Sequence, residues 1–204
     1  MIHVICTDIS GLKESDYDDL YAKASPERKC RADRCRRRED ALRCVAADAL
    51  LRYALGTERY TLEKERNGKP YIVERTDFHF NLSHSGCWVV LAWGSSEVGV
   101  DVEKIRMDTD LLAIAKRFYA PEEQCYILEE PEQSRRRFFE VWTAKESYVK
   151  YLGTGLQKNL ASFNVLSLEP KVRLYQRELP GGYCLCLCTA ETECSFERLD
   201  LQQI

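Results

Sequence analysis

Three carboxylates and two lysines, set among apolar neighbours, are the residues of this chain best suited to chemistry. Asp101 and Glu103 stand in Gly99-Val100-Asp101-Val102-Glu103, and Glu146 stands in Trp142-Thr143-Ala144-Lys145-Glu146-Ser147-Tyr148-Val149-Lys150. On a strand, residues two apart share a face, so Asp101 and Glu103 can reach one ion. On a helix, Trp142, Glu146 and Lys150 at i, i+4 and i+8 form one stripe, with Lys145 beside it. Oxygen-only ligands suit a hard cation such as Mg²⁺, which keeps waters and shares its shell with substrate phosphates. The combination points to metal-dependent phosphoryl-type transfer. Each motif alone is weak, because a D-x-E pair is usually the wet face of an edge strand and a Glu–Lys pair a solvated helix face. The company of Phe138, Phe139, Val141, Trp142, Tyr148 and Val149 makes the second helix too apolar to be fully exposed. Buried charge there needs partners, and a metal–phosphate cluster would supply them to Glu146, Lys145 and Lys150.

Three further segments carry candidates. In Asn81-Leu82-Ser83-His84-Ser85-Gly86, backbone N–H groups of a turn together with Ser83 and His84 can hold a phosphate; serines are also ordinary turn formers. With only 3 histidines in the chain, a histidine-rich metal site is excluded. The basic stretch Arg28, Lys29, Arg31, Arg34, Arg36, Arg37, Arg38, with Arg43 beyond it, fits a solvated face, a nucleic-acid groove or a clamp on a phosphorylated small molecule. Asn67-Gly68-Lys69-Pro70 is a turn leaving Lys69 near a strand start. Cys184, Cys186 and Cys188 alternate with leucines. Alternate strand residues lie about 6.6 Å apart, whereas two thiolates on one zinc sit within about 4.6 Å. Buried reduced thiols are therefore the better reading.

The elements that must position these groups follow from periodicity. Residues 2–9 read as a strand. Ser25-Pro26-Glu27 opens a helix, with the pattern running to Leu55, Gly56 as its stop and a break expected at Arg36–Glu39. Short strands follow at Tyr60–Glu63, Pro70–Val73, Phe78–Leu82, Trp88–Trp93 and Val98–Val102. Helices are expected at Leu111–Tyr119, Pro121–Leu128 and Ser134–Leu152, then strands at Ser162–Ser167, Val172–Tyr175, Tyr183–Thr189 and Ser195–Leu199. Helices then strands, twice over, predict an α+β fold of two halves, residues 1–97 and 98–204. At 204 residues, 45% apolar, with a net charge of −3, the chain buries a substantial core and is no polyelectrolyte binder. No membrane-length apolar run and no readable signal peptide are present, so a cytoplasmic location is expected.

Taken together, Gly68-Lys69-Pro70, Phe80-Asn81-Leu82-Ser83-His84-Ser85, Gly99-Val100-Asp101-Val102-Glu103 and Trp142-x-x-Lys145-Glu146-x-x-x-Lys150 resemble, in order and spacing, the Sfp-type 4′-phosphopantetheinyl transferases. Glu39-Asp40-Ala41 also fits, and the resemblance spans roughly residues 25–165. It implies two pseudo-symmetric α+β halves with coenzyme A in the cleft between them. It implies transfer of the phosphopantetheine arm from coenzyme A to a serine of an apo acyl or peptidyl carrier protein, releasing adenosine 3′,5′-bisphosphate. Asp101, Glu103 and Glu146 would hold Mg²⁺, with Glu146 the candidate base, metal ligand or both. Ser83, His84 and Lys150 would meet the diphosphate, Lys69 and Pro70 the adenine side, and Arg28, Arg31 and Arg43 the 3′-phosphate. Arg28 and Arg31 stand where some relatives have lysine. A monomer without nucleic-acid or membrane partners is expected. Another Mg²⁺-dependent phosphodiester-cleaving enzyme is the alternative.

Overall fold

The computed structural model describes residues 1–155 and 158–203. The chain runs β1 (Ile2–Asp8), α1 (Glu14–Lys23), α2 (Pro26–Asp33), α3 (Arg38–Leu55), β2 (Leu62–Lys64), β3 (Pro70–Ile72), β4 (His79–Ser85), β5 (Trp88–Gly94), β6 (Val98–Lys104), α4 (Leu111–Phe118), α5 (Pro121–Glu129), α6 (Ser134–Leu152), β7 (Arg173–Leu179), β8 (Tyr183–Thr189) and β9 (Cys194–Arg198). The expected break in the first long helix falls between α2 and α3. Gly56 and Gly153 end α3 and α6 in the left-handed conformation that favours glycine.

Two sheets face each other. The first has strand order β4-β5-β1-β9 and the second β6-β8-β7. Alternation along each strand decides which side chain goes where. Ile5, Val89 and Leu91 pack with α3 residues such as Val45, Ala49 and Leu50. Val4, Val90 and Ala92 point the other way, against Val98, Val100, Val102, Leu185 and Leu187 of the second sheet. The remaining face of that sheet presents Cys184 and Cys186 to Phe138, Val141 and Ala144 of α6. The three alternating thiols are buried and free, as the strand geometry predicts, and burial pushes Cys184 and Cys186 up to about 12.

Three details depart from the sequence reading. α1 was not expected: its few buried apolar residues, Tyr17 and Leu20, are surrounded by acids, and Asp16 rather than a serine accepts from the Lys13 N–H at its start. Ser162–Ser167 is not a strand but part of two tight turns, Leu160–Ser162 and Val165–Ser167. The side chains of Asn159 and Asn164 accept from Ala161 N–H and Leu166 N–H, offering the backbone partners other than a sheet. Finally, β9 runs parallel to β1 and completes the first sheet, although it follows the second sheet in sequence.

Candidate active site

Because Val98, Val100 and Val102 face the first sheet, the alternate residues Gly99, Asp101 and Glu103 face α6, which carries Glu146 and Lys150. Gly99 makes the approach possible. A Cβ there would lie 2.0 Å from the Ser147 carbonyl oxygen and 2.3 Å from the Tyr151 nitrogen. Lys150 then reaches down to the strand, its Nζ donating to Asp101 Oδ1 at 2.7 Å, the Val100 carbonyl at 3.1 Å and Ser83 Oγ at 3.2 Å.

β4 lies alongside β6 and meets it through side chains. Asn81 Oδ1, Ser83 Oγ and Ser85 Oγ accept from the N–H groups of Val100, Val102 and Lys104 at 2.9, 3.3 and 3.1 Å. Ser83 and Ser85 in turn donate to Asp101 Oδ1 and Glu103 Oε2, each at 2.8 Å. The Asn-x-Ser-x-Ser period is therefore a side-chain ladder that joins the two sheets and aims the carboxylates. Ser83 is buried in it, a role that its expected phosphate contact did not foresee.

The carboxylate cluster is electrostatically tense. Burial, then Asp101, pushes Glu146 up, with Glu103 adding to the effect and Lys150 opposing it. Burial and Asp101 likewise raise Glu103 against the opposing Ser85 hydroxyl. Asp101 Oδ2 is buried with no hydrogen-bond partner. Among the described residues no three histidine, cysteine or carboxylate side chains converge into a ready cage for an ion. Mg²⁺ does not need one, since it commonly takes one or two carboxylates and completes its shell with water and phosphate. An orphaned carboxylate oxygen among mutually repelling oxygen donors fits that cation.

Beside the cluster lies a cavity of about 440 Å³ lined by Arg28, Arg31, Arg43, Pro70 and His84 among others. Arg43 donates to the Gly86 carbonyl at 2.6 Å and pairs with Asp40. Arg31 is exposed at the rim, whereas Arg28 is buried and its Nε lacks a hydrogen-bond partner. His84 is open to solvent at the mouth. Crowding by the cleft, and then the charges of Arg43 and Lys150, push its pKa down. The basic stretch is thus divided: Arg28 and Arg31 turn to the cavity, while Arg38 pairs with Glu14 and covers the Tyr17 ring.

Two expected ligand contacts are corrected. Lys145 is fully buried, its Nζ 2.7 Å from Glu123 Oε2 and donating to the carbonyls of Leu160 and Phe163 at 2.8 and 2.7 Å. On α6 it points away from the Glu146–Lys150 stripe, toward α5 and the tight turns, so it serves packing. Glu123 also accepts from the N–H groups of Ala120 and Val165. Removing one partner of such a pair strands the other charge, so Lys145→Met is expected to cost roughly 3–5 kcal/mol of stability. Urea unfolding measures this, and the KM for a phosphorylated substrate should not move. Lys69 pairs with Glu97 and donates to the carbonyls of Val98 and Tyr151; its neighbour Pro70, not its own side chain, lines the cavity.

Comparison with known proteins accounts for this arrangement. A model of the 4′-phosphopantetheinyl transferase superfamily matches residues 97–196. A 4′-phosphopantetheinyl transferase of Bacillus subtilis is 36% identical over 183 residues, which is 86% of this chain and 80% of that protein. The enzyme psf-1 of Bacillus pumilus is 38% identical over 84% of this chain and 81% of its own length. Sfp of Bacillus subtilis strain 168 is 34% identical over 86% and 80%. With this identity across most of its length, and with an arginine-lined cavity beside a carboxylate cluster, the chain belongs to the 4′-phosphopantetheinyl transferase superfamily.

Proposed function

We propose that the protein transfers the 4′-phosphopantetheine group of coenzyme A to a serine of an apo acyl or peptidyl carrier protein, leaving the holo carrier and adenosine 3′,5′-bisphosphate. The observation that carries this reading is the juxtaposition of the arginine-lined cavity with the cluster of Asp101, Glu103, Glu146 and Lys150. It can seat a terminal phosphate at one end of a nucleotide and a diphosphate at the other. Arg28, Arg31 and Arg43 hold the 3′-phosphate, arginine suiting bidentate phosphate contact. Pro70 borders the adenine side, and His84 and Lys150 meet the diphosphate. Asp101, Glu103 and Glu146 would hold Mg²⁺, directly or through its waters, and the ion would supply charge neutralisation on the diphosphate oxygens. The serine hydroxyl attacks the phosphorus bearing the pantetheine arm, and the bond from that phosphorus to the oxygen bridging it to adenosine bisphosphate breaks. Lys150 offsets negative charge gathering on the leaving group, and Glu146 is the candidate acceptor of the serine proton.

The halves 1–97 and 98–204, with β9 returned to the first sheet, form the cleft within one chain, which supports a monomer. All ten cysteines are free, which supports a reducing compartment, the cytoplasm. No described helix is long and apolar enough to cross a membrane.

Intact-mass measurement of an apo carrier after incubation with the protein, coenzyme A and Mg²⁺ tests the activity. The expected result is a gain of one phosphopantetheine arm, abolished by EDTA and absent without enzyme. Cleavage of coenzyme A with no carrier present, and no gain on any carrier, would overturn it.

The tense carboxylates also give a pH signature. Glu103 and Glu146 have folded pKa values above their unfolded ones, so the metal-free protein retains more of their contribution at low pH and loses it as pH rises through the raised values. Mg²⁺ competes with those protons. The rise in Tm on adding Mg²⁺ is therefore expected to be larger at about pH 8 than at about pH 5.5. A shift of equal size at both would remove the carboxylates from the metal site.

A further inference from the structure

Asp48, in the middle of α3, has a fully buried side chain, a position that acids rarely occupy unpaired. Its two oxygens gather groups from the start of α2, from α3 itself and from the loop that follows α3. Oδ1 accepts from Ser25 Oγ at 3.1 Å and from the Tyr60 hydroxyl, while Oδ2 accepts from Arg52 Nε at 3.0 Å. Arg28 Nε stands 4.0 Å from Oδ1, an ion contact too long for a hydrogen bond. Ser25 is also the cap of α2, its Oγ accepting from the Arg28 N–H at 3.4 Å. One carboxylate thus braces both the helix start that carries Arg28 and the Arg28 guanidinium itself. That side chain is 8% exposed, its Nε has no hydrogen-bond partner, and it lines the cavity with Arg31 and Arg43.

We propose that Asp48 is a positioning residue for recognition of the 3′-phosphate, holding Arg28 preset toward the cavity so that the enzyme favours donors that carry that phosphate. The inference rests on the reading of the cavity as the 3′-phosphate end of coenzyme A. A free arginine loses about 2 kcal/mol of rotamer entropy when it is fixed. With Asp48 behind it, that ordering is completed on folding rather than on binding. Arg52, on the far side of the same carboxylate, keeps the buried group satisfied without drawing Arg28 into a closed pair. Arg28 therefore keeps donors for an anion.

The test compares coenzyme A with 3′-dephospho-coenzyme A as donors for the parent, Asp48→Asn, Arg28→Gln and the double variant. Asp48→Asn is expected to raise KM for coenzyme A about tenfold, as the ordering of Arg28 returns from folding to the binding step, with kcat within about twofold. Its KM for the dephospho donor should not change, and in the Arg28→Gln background it should have no further effect. Should the buried asparagine prevent folding, Ser25→Ala leaves the carboxylate in place and is expected to show the same donor-dependent rise, about threefold. An equal loss with both donors would mean that Asp48 only supports the fold, and an unchanged coenzyme A KM would exclude the role. A parent enzyme that uses both donors with equal KM would overturn the 3′-phosphate reading, and the role of Asp48 with it.

Discussion

Asp101→Ala is expected to lower the rate of holo-carrier formation by about 10³-fold or more, the scale of removing a group that stabilises charge in a transition state. Asp101 is where the strand, the helix and the side-chain ladder meet. Its Oδ1 receives Lys150 Nζ and Ser83 Oγ, and its Oδ2 is the unpartnered oxygen offered to a cation. The alanine variant should stay folded, because Lys150 keeps the Val100 carbonyl and Ser83 Oγ keeps the Val102 N–H. Intact-mass kinetics of the carrier, with thermal unfolding alongside, measure both halves of the expectation. Activity within tenfold of the parent would remove Asp101 from the cluster. Glu146→Gln should lose a comparable factor, and it separates two roles. If Glu146 is only a proton acceptor, the variant keeps the Tm rise caused by Mg²⁺; if it binds the metal, that rise shrinks as well.

Gly99→Ala is expected to be the most damaging small substitution in the chain. Its new methyl group would meet backbone atoms of Ser147 and Tyr151 at 2.0 and 2.3 Å, and backbone cannot swing aside as a side chain can. The relief available is for α6 to lift from β6, an overpacking cost of about 3 kcal/mol and a Tm lower by roughly 6–12 °C for a chain of this size. Since α6 carries Glu146 and Lys150, activity should fall further than the folded fraction does. Circular dichroism melting, with transfer assayed well below the melting point, separates the two losses. A variant that melts like the parent would show that β6 and α6 do not approach so closely.

Much of the frame is legible in the sequence, because its signals are local. The serine cap and proline of α2, the left-handed glycines after α3 and α6, and the alternation of β1, β5, β6 and β8 each depend on a few neighbouring residues. So does the pairing of Asp101 with Glu103, since residues two apart on a strand must share a face. The misses have the same logic inverted. α1 has a short apolar stripe, Tyr17, Leu20, Tyr21 and Ala24, but the acids between them and the lack of a serine or proline start obscure it, and it is held by what that stripe packs against. The segment at 162–167 has strand-like composition, but Asn159 and Asn164 satisfy its backbone locally.

What the sequence by itself determined, then, is the family through its ordered motifs, the class of fold, and the carboxylates and cations from which a phosphate site can be built. Only the tertiary structure decided which of them work together. Lys145 and Lys150 look equivalent in the chain, yet five residues along a helix turn the side chain by more than a quarter of the circumference. One lysine enters the core to meet Glu123, and the other meets Asp101. Ser83 reads as a phosphate ligand until β4 is seen to lie against β6, where its hydroxyl has a nearer use. Asp48, more than twenty residues from Ser25 in sequence, matters only because α3 packs behind α2. Spacing along a chain specifies which face a side chain takes, but the partner waiting on that face comes from distant segments, and the partner decides what a charged group does.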